Sequence, residues 1–434
     1  MLLGGWGRYP LIESQILTPL TVQNAQNQIK EANFSHIIPR GMGRSYGDSS
    51  LSANVFQTAY LNHFLDFDHR TGVLRCQSGV SLDDILRVFV PCGWFLNITP
   101  GTRYVSVGGA VASDVHGKNH HIDGCFSEQV KSLRILLAND EIVDCSHSQN
   151  SELFYATCGG MGLTGLILEV ELLLKSVPSS FIDETIIKAG NLQHVMDLFE
   201  ENSDSTYSVA WIDCIASGSN LGRSLLMLGE HSKNGGYQLA TSKKISVPVD
   251  MPAILLNKYT VSTFNSLYYH RIRQSVVKHT VHYEPYFYPL DGINDWNRLY
   301  GKKGFTQYQF VIPKENGMQG MNEILSRIVA SGRGSFLAVL KAFGCKNKNY
   351  LSFPIAGYTL ALDFKIDKGL FEFLDELDQI VIDYGGRVYL TKDVRLKKSA
   401  FRKMYPEWEY FREIREKFDA TSVFNSLQSE RLGI

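Results

Sequence analysis

Apolar positions along the chain recur at two spacings, which outline an α+β protein. Alternating or continuous apolar runs at Val130 to Leu137, Leu166 to Leu174 and Gln307 to Ile312 are typical of strands. Helical spacing with a polar face occurs at Thr21 to Ala32, and charged residues with aromatics at Lys397 to Lys417 predict one or two further helices. Strands and helices do not alternate as repeating βαβ units, and this favours the α+β class.

Local signals add a helix start, a hairpin and a domain boundary. Ser81 and Asp84 have the S-x-x-D spacing of a helix N-terminus. Asn139-Asp140, followed by the strand-like run Glu141 to Asp144, predicts a β-hairpin. The polar segment Lys175 to Ser180 predicts a boundary. Beyond it, strands of a second domain are predicted at Val209 to Ile215, Ser224 to Gly229, Gln307 to Ile312 and Thr359 to Phe364, with a long, aromatic and partly basic segment at Lys243 to Tyr300.

Composition excludes several functional classes. The 434 residues are 44% hydrophobic and 20% charged, and 43 Lys and Arg against 44 Asp and Glu leave a net charge of −1, so we expect no nucleic-acid partner. The seven cysteines include no C-x-x-C pair, which indicates reduced thiols rather than disulfides or a zinc site. No secretory signal and no apolar stretch near the ~20 residues of a membrane span is visible, so we expect a cytoplasmic protein without a transmembrane segment.

One glycine motif has the wrong context for a nicotinamide site. Residues Gly160 to Gly165 spell G-x-G-x-x-G. A dinucleotide fold needs a strand before this motif and a helix after it, whereas a helix is predicted at Ser151 to Thr157 and a strand follows. No phosphate-loop, nucleophile-elbow or H-E-x-x-H motif is present either.

Two other glycine-rich regions together predict an anion-binding cradle. The first is Arg40 to Asp48, and the second comprises Pro100 to Thr102, Val105 to Ala110 and Ser113 to Asn119. Glycine lets backbone N–H groups approach a pyrophosphate closely, and the hydroxyls of Ser45, Thr102 and Ser106 can add donors. Each region alone is also explained by tight turns between strands, so the prediction rests on finding both.

At these residues the sequence resembles the FAD-dependent vanillyl-alcohol-oxidase superfamily. The resemblance lies in the motifs R-G-x-G-R-S-Y-G-D at 40–48, P-G-T at 100–102, V-G-G-A at 107–110, D-V-H-G-K-N-H-H at 114–121 and G-G-M-G-L-T-G at 159–165. It continues through 207–213, 221–231, 288–291, 307–313, 340–344, 351–364 and 385–395, which is nearly the whole chain.

The resemblance implies a two-part FAD-binding domain, residues 1–179 and 387–434, interrupted by a substrate domain at 180–386 that is built on an antiparallel sheet. It further implies which residues bind FAD: Pro39, Arg40, Gly41, Met42, Gly43, Arg44, Ser45, Tyr46, Gly47, Asp48, Ser49, Gly101, Thr102, Ser106, Val107, Gly108, Gly109, Ser113, Asp114, Val115, His116, Ile167 and Tyr389. Members that bind flavin covalently have histidine where this chain has Arg44, so we expect non-covalent FAD.

The same resemblance assigns catalytic and substrate positions. Lys392, His116 and Tyr46 are the candidate catalytic residues, because alcohol oxidation needs a proton acceptor and a cation near reduced flavin. His116, His120 and His121 suggest a metal, but no Cys, Asp or Glu completes a ligand set, so no metal is expected. The candidate substrate residues are Gln307, Gln309, Lys341, Tyr288, Thr359 and Lys392.

The resemblance is greatest to members that oxidise a polyprenyl-phosphate-linked ribose. It implies oxidation of the 2′-hydroxyl to a ketone, as half of an epimerisation in cell-envelope arabinan synthesis that an NAD(P)H-dependent short-chain reductase would complete. Ala361 and Thr359 replace a cysteine and an asparagine of some members, so pocket shape is expected to differ. The segment Asn257 to Asp291 is either a peripheral contact with the inner membrane face or a plain strand-and-loop section. Alternative functions are an aldonolactone or alditol oxidase and a non-catalytic flavin-binding protein.

Overall fold

The computed structural model describes residues 1–31, 36–239, 244–252 and 256–434, and its mixture of helices and antiparallel sheets confirms the α+β class. The chain opens with the antiparallel pair β1 (Leu2–Gly4) and β2 (Leu11–Glu13). A parallel three-stranded sheet follows, in the order β3 (Gln15–Leu17), β5 (Asn54–Gln57), β4 (Ile37–Arg40). Helix α1 (Val22–Glu31) confirms the first predicted helix, whose last residue, Ala32, lies outside the described residues.

The second sheet is antiparallel and carries the predicted hairpin. Its strands are β6 (Phe64–Asp68), β7 (Val73–Gln77), β8 (Trp94–Leu96), β9 (Val130–Leu136), β10 (Ile142–Ser146) and β11 (Leu166–Ser176), in the order β10-β9-β11-β7-β6 with β8 paired to the end of β11. Ile142 lies opposite Leu136, which confirms the hairpin. Helices α2 (Leu82–Phe89), α3 (Val107–Ala112), α4 (His120–Asp123) and α5 (Ser151–Thr157) connect the strands. Ser81 and Asp84 form the predicted capping box of α2.

The third sheet has eight strands and confirms all four strands predicted beyond Ser180. Its strands are β12 (Phe181–Ala189), β13 (Tyr207–Ile212), β14 (Ser224–His231), β16 (Val276–His282), β18 (Phe305–Pro313), β19 (Ala338–Phe343), β20 (Gly357–Lys365) and β21 (Arg387–Val388), in the order β16-β12-β14-β13-β19-β20-β18-β21. The short parallel pair β15 (Ile245–Ser246) and β17 (Ile293–Asn294) lies apart from it. Helices α6 (Leu192–Glu201), α9 (Gly317–Ser331) and α10 (Leu370–Asp383) bury apolar side chains in its core.

The strand-and-loop interpretation of Asn257 to Asp291 is wrong in part. Residues Lys258–His270 form a thirteen-residue helix, α7, and Tyr283–Phe287 form a short helix, α8. The positions that α7 buries are Val261, Asn265 and Tyr269. The central one is polar, so the apolar periodicity that would predict a helix is interrupted. Lys243, the first residue of the longer aromatic segment, lies outside the described residues.

The C-terminal segment packs against the parallel three-stranded sheet formed by β3, β5 and β4. Helices α11 (Lys398–Met404) and α12 (Trp408–Lys417) confirm the predicted pair, and α13 (Ala420–Val423) and α14 (Leu427–Leu432) follow. Ala420 and Phe424 are fully buried against Ile37 and Phe56 of the parallel sheet. This packing supports a two-part domain, although β21 at 387–388 pairs with β18 of the eight-stranded sheet. The division at 179/180 and 386/387 stays a prediction.

Candidate active site

A cavity of about 1150 Å³ is lined by residues from the glycine loops, the eight-stranded sheet and the C-terminal segment. This volume exceeds the ~300–1,000 Å³ of pockets that hold one drug-sized ligand. The cavity therefore has room for a dinucleotide and a second molecule.

The glycine loop after β4 borders this cavity. Two of its glycines lie where crowding or the backbone conformation disfavours a side chain. A Cβ on Gly41 would lie 2.0 Å from the hydroxyl oxygen of Ser106, and Gly43 has a φ of +63°, which favours glycine. Ser106 accepts a hydrogen bond from the backbone N–H of Gly109 at 3.2 Å and so caps α3. Arg40, underneath the loop, donates to the carbonyl oxygen of Gly4 at 2.8 Å. The loop and the start of α3 thus present backbone next to open space, as a pyrophosphate cradle requires.

Most of the residues predicted to bind FAD lie in the cavity wall. They are Pro39, Arg40, Gly41, Met42, Gly43, Arg44, Ser45, Tyr46, Ser49, Gly101, Thr102, Ser106, Gly108, Gly109, Ser113, Val115, His116, Ile167 and Tyr389.

Four predicted FAD residues, Gly47, Asp48, Val107 and Asp114, lie behind the wall instead. A Cβ on Gly47 would lie 1.7 Å from the backbone carbonyl oxygen of Asp393. Asp48 forms an ion pair with Arg431 at 2.8 Å, and Val107 is fully buried in the core. Asp114 is fully buried and accepts hydrogen bonds from the side chains of Asn347, Asn349 and Ser352. These four residues therefore support the cavity wall through packing, an ion pair and hydrogen bonds on the side that faces away from the cavity.

The three candidate catalytic residues all line the cavity. The Nζ atom of Lys392 lies 4.0 Å from the centre of the Tyr46 ring. Burial lowers the pKa of Lys392 to about 8, and the carboxyl group of Asp363 works in the opposite direction. Burial raises the pKa of Tyr46 well above 10. Tyr46 is therefore a neutral phenol at neutral pH, beside a predominantly protonated lysine.

His116 lies between two polar side chains of the eight-stranded sheet. Its Nδ1 atom is 3.2 Å from Nζ of Lys341, and its Nε2 atom is 3.1 Å from Nε2 of Gln309. Burial, together with the charge of Lys341, lowers the pKa of His116 well below 6.5. Burial also lowers the pKa of Lys341 to about 7. His116 is therefore neutral at neutral pH, with an unprotonated ring nitrogen.

Four of the six predicted substrate residues line the cavity: Gln307, Gln309, Lys341 and Lys392. The other two brace the wall. The Tyr288 hydroxyl is 2.6 Å from the Thr99 hydroxyl, and Thr359 donates to the carbonyl oxygen of Phe310 at 2.8 Å. Gln309 in turn donates to the Thr359 hydroxyl at 3.3 Å, so Thr359 orients a residue of the lining.

Sequence reasoning missed several polar and aromatic residues of the lining, among them Trp6, Lys118, Glu184, Trp211, Arg271 and His279. Lys118 donates to the carbonyl oxygen of Tyr286, and burial lowers its pKa to about 8. Lys118 stands within the D-V-H-G-K motif, and this position could have identified it as a residue of the site. The segment 160–165, rejected as a nicotinamide site, has the predicted helix before it and strand after it, yet Met161, Gly162 and Gly165 line the cavity.

The neighbouring histidines of α4 have structural partners. His120 accepts a hydrogen bond from the backbone N–H of Gly344 at 3.1 Å, and Nε2 of His121 is 2.9 Å from the carbonyl oxygen of Ser205. Among the residues that the structure describes, no group of three His, Cys, Asp or Glu side chains is arranged to hold a metal ion.

Comparison with known proteins shows the family to which the chain belongs. The model of the FAD binding domain matches residues 14–146, and the model of D-arabinono-1,4-lactone oxidase matches residues 345–432. Over 99% of its length the chain is 36% identical to decaprenylphosphoryl-beta-D-ribose oxidase of Mycolicibacterium smegmatis, of which 97% is covered. The chain belongs to the vanillyl-alcohol-oxidase family of flavoproteins. More distant members of the family match at 22% identity: L-gulono-1,4-lactone dehydrogenase of Mycobacterium tuberculosis, over 88% of this chain and 87% of that protein, and L-gulonolactone oxidase of Bos taurus, over 98% and 97%.

As a member of the vanillyl-alcohol-oxidase family, the chain is an FAD-dependent oxidoreductase that acts on CH–OH groups. The lining fits this cofactor, because the backbone at Gly41 and Gly43 borders a cavity large enough for it. Within the described ranges, no helix is both long and apolar enough to cross a bilayer.

Proposed function

We propose that the chain oxidises a ring secondary alcohol of a polyprenyl-phosphate-linked ribose, converting the 2′-hydroxyl to a 2′-ketone. The observation that carries the proposal is the composition of the cavity lining, where three half-buried lysines, Lys118, Lys341 and Lys392, lie with Gln307 and Gln309. Ammonium groups suit a phosphate, and the amides suit sugar hydroxyls. The similarity to decaprenylphosphoryl-beta-D-ribose oxidase supports the same substrate class.

Oxidation of an alcohol removes a hydride from carbon and a proton from oxygen. FAD supplies the hydride acceptor when bound. Neutral His116 has the protonation state to accept the hydroxyl proton, and Lys341 at its Nδ1 atom keeps the ring neutral until then. Protonated Lys392 is suited to stabilise negative charge as it develops in the cavity.

A substrate comparison tests this proposal. With a soluble artificial electron acceptor, we expect turnover of a polyprenyl-phosphoryl ribose to a product lighter by two hydrogen atoms. Borodeuteride reduction of the product, followed by fragment mass spectrometry that finds the single deuterium at C2′, would place the ketone there. Turnover of L-gulono-1,4-lactone with a higher kcat/KM would contradict the proposal and favour the aldonolactone oxidase alternative, which the match at residues 345–432 supports.

The ketone would be an intermediate in an epimerisation, here that of arabinan synthesis. The second half would need a hydride donor, which we assign to a separate NAD(P)H-dependent short-chain reductase. Adding such a reductase to the reaction should convert the keto-sugar to the 2′-epimer, whereas return of ribose alone would speak against the pathway.

The lip of the cavity is suited to a peripheral contact with an anionic membrane. We name residues 258–282, which comprise α7, the following loop and β16, the basic lip. From Met251 to Tyr283 the sequence has no acidic residue, and the lip carries Lys258, Arg271, Arg273 and Lys278. The side chains of Tyr259 and Leu267 are 80% and 70% exposed, while Arg271 also lines the cavity. Apolar and basic side chains together are typical of surfaces that bind anionic lipid headgroups.

A further inference from the structure

One face of the eight-stranded sheet forms an apolar floor inside the cavity. Ile186 on β12 lies directly opposite Met227 on β14, and Met227 lies directly opposite Val209 on β13. Side chains at directly opposite positions project from the same face of a sheet, and all three line the cavity. The floor therefore spans three neighbouring strands.

The same face continues across the sheet to the polar end of the cavity. Trp211, the next residue of β13 on this face, lies opposite Val339 of β19. Val339 lies opposite Ala361 of β20, which in turn lies opposite Gln309 of β18. All of these residues line the cavity. A row of side chains thus joins the apolar floor to Gln309, whose amide nitrogen is 3.1 Å from Nε2 of His116.

Helix α7 and the residues that follow it border this floor. The ring centres of Tyr268 and Trp211 are 4.7 Å apart. Tyr268 and Ile272 pack against the apolar cluster that contains Ile186 and Trp211, and both line the cavity. We name this part of the cavity the apolar trough, defined by Ile186, Val209, Trp211, Met227, Tyr268 and Ile272.

The trough opens to solvent at the basic lip. Arg271, the residue before Ile272, is exposed and lines the cavity. Its guanidinium lies 4.0 Å from the centre of the Tyr268 ring and donates to the Tyr268 hydroxyl at 3.0 Å. On β16, Nε2 of the exposed His279 is 3.0 Å from a carboxylate oxygen of Glu184, and both residues line the cavity. A chain that leaves the trough here emerges among the basic residues of the lip.

A cation stands at the inner end of the trough. Lys118 follows His116 by two residues, and its carbonyl oxygen accepts a hydrogen bond at 2.9 Å from the backbone N–H of Ser208, next to Val209. Its Nζ atom lies 4.0 Å from the centre of the ring of Tyr286, another lining residue. An ammonium group here suits a phosphate that links a sugar near His116 to an apolar chain in the trough.

We propose that the apolar trough binds the isoprenoid chain of the substrate, with the phosphate at Lys118 and the far end of the chain leaving through the basic lip. The inference rests on the proposed function for the identity of the sugar, and it assigns the chain a site of its own. The order of the lining, from polar end through apolar trough to basic lip, matches the order of sugar, chain and membrane surface. The chain gains affinity from the apolar surface that it buries.

Calorimetry with geranyl phosphate tests the inference without turnover. Titrated into the FAD-loaded protein, geranyl phosphate should bind at least about tenfold more tightly than inorganic phosphate, with a negative heat-capacity change from the buried apolar surface. Val209→Phe places a larger side chain in the trough. It should weaken geranyl phosphate binding about tenfold, while inorganic phosphate binding changes less than about twofold.

Val88→Phe is the matched control, because Val88 is 47% exposed on α2, and this variant should bind geranyl phosphate as the wild type does. Equal affinity of Val209→Phe and wild type for geranyl phosphate, or no preference over inorganic phosphate, would overturn the inference. Loss of binding in Leu267→Glu of the basic lip, with full binding in Val209→Phe, would place the chain on the outer surface and overturn it as well.

A second variant serves if Val209→Phe does not fold. Met227→Gln keeps the length of a half-buried side chain and places an amide in the trough, so it should weaken geranyl phosphate binding severalfold. Unchanged binding in this variant would overturn the inference.

Turnover separates this inference from the proposed function. A protein that binds geranyl phosphate in the trough and does not oxidise a polyprenyl-phosphoryl ribose would support the trough and contradict the proposed function. Oxidation with a kcat/KM that is independent of chain length would support the function and overturn the trough.

Discussion

At the scale of single residues, substitution of Lys392 should impair catalysis and leave cofactor binding intact. Lys392→Ala is expected to lower kcat by about 100-fold or more, because one charge-stabilising group contributes roughly that factor. FAD content should persist, since the glycine loop and α3 remain intact. Steady-state kinetics and the visible spectrum of the purified variant measure both. The exposed Lys403→Ala of α11 is the control, and full activity of Lys392→Ala would remove the assignment.

Arg44 leads to a second prediction, about how FAD is held. It stands where covalent members of the family carry histidine, and its guanidinium lies 4.1 Å from the centre of the Trp6 ring. Arginine forms no flavin linkage there, so acid denaturation should release all yellow colour into the supernatant as FAD. Colour that stays with the precipitated protein would show a covalent bond at another residue.

Contiguous motifs made part of the site predictable from the sequence. His116 and Lys392 stand within characteristic sequence stretches, so their positions were identified. Asp363, by contrast, comes from the apolar run of β20, and its partners Gln307 and Tyr300 are 56 and 63 residues away in sequence. Its burial and its hydrogen bonds to these two residues depend on tertiary packing, which the sequence pattern does not specify.

At the scale of elements, Gly47 joins the glycine loop to the segment that carries Lys392. The backbone N–H of Tyr46 donates to the carbonyl oxygen of Thr391 at 3.0 Å, so the two segments lie in direct backbone contact. A methyl group at 47 would overlap the carbonyl oxygen of Asp393, which is a backbone atom and not the end of a flexible side chain.

Gly47→Ala should therefore destabilise the protein by about 1–3 kcal/mol, the range of overpacked sites, and weaken FAD binding. Thermal unfolding and FAD titration measure the two effects. Gly190→Ala is the control, because a Cβ there meets no atom within 4 Å. A wild-type Tm for Gly47→Ala would show that the two segments can separate without cost.

Element type was predictable where periodicity was continuous and was missed where it was not. The β18 and β20 strands bury nearly every residue, and their apolar runs were recognised. Helix α7 was missed because Asn265 occupies its central buried position and hydrogen-bonds to Asp213 at 2.9 Å. A polar residue that is satisfied by a distant partner is indistinguishable in the sequence from one that faces water.

At the scale of the whole molecule, vesicle binding tests the proposed contact between the basic lip and an anionic lipid surface. Co-sedimentation should be stronger with vesicles that contain anionic lipid than with neutral ones, and added salt should weaken it. Leu267→Glu should reduce binding severalfold, because it places a carboxylate on the proposed contact. Tyr410→Glu, at a 62% exposed residue of α12, is the control. Equal loss in both variants, or no binding to anionic vesicles, would contradict the contact.

The arrangement of sheets around the cavity was anticipated only through the family resemblance. Strand order β16-β12-β14-β13-β19-β20-β18-β21 depends on pairings such as Ala210 with Leu340, 130 residues apart. Local pattern carries no information about such distant pairs. The cavity itself, shared by residues from Trp6 to Lys392, could therefore not be assembled from periodicity.

The most direct test of the account is anaerobic mixing of the FAD-loaded protein with a polyprenyl-phosphoryl ribose, followed by its visible spectrum. Without an acceptor, one equivalent of substrate should bleach the flavin band and yield one equivalent of the 2′-keto sugar. The Lys392→Ala variant should bleach about 100-fold more slowly. A flavin that stays oxidised in the presence of this sugar, yet is bleached by dithionite, would contradict the proposed reaction.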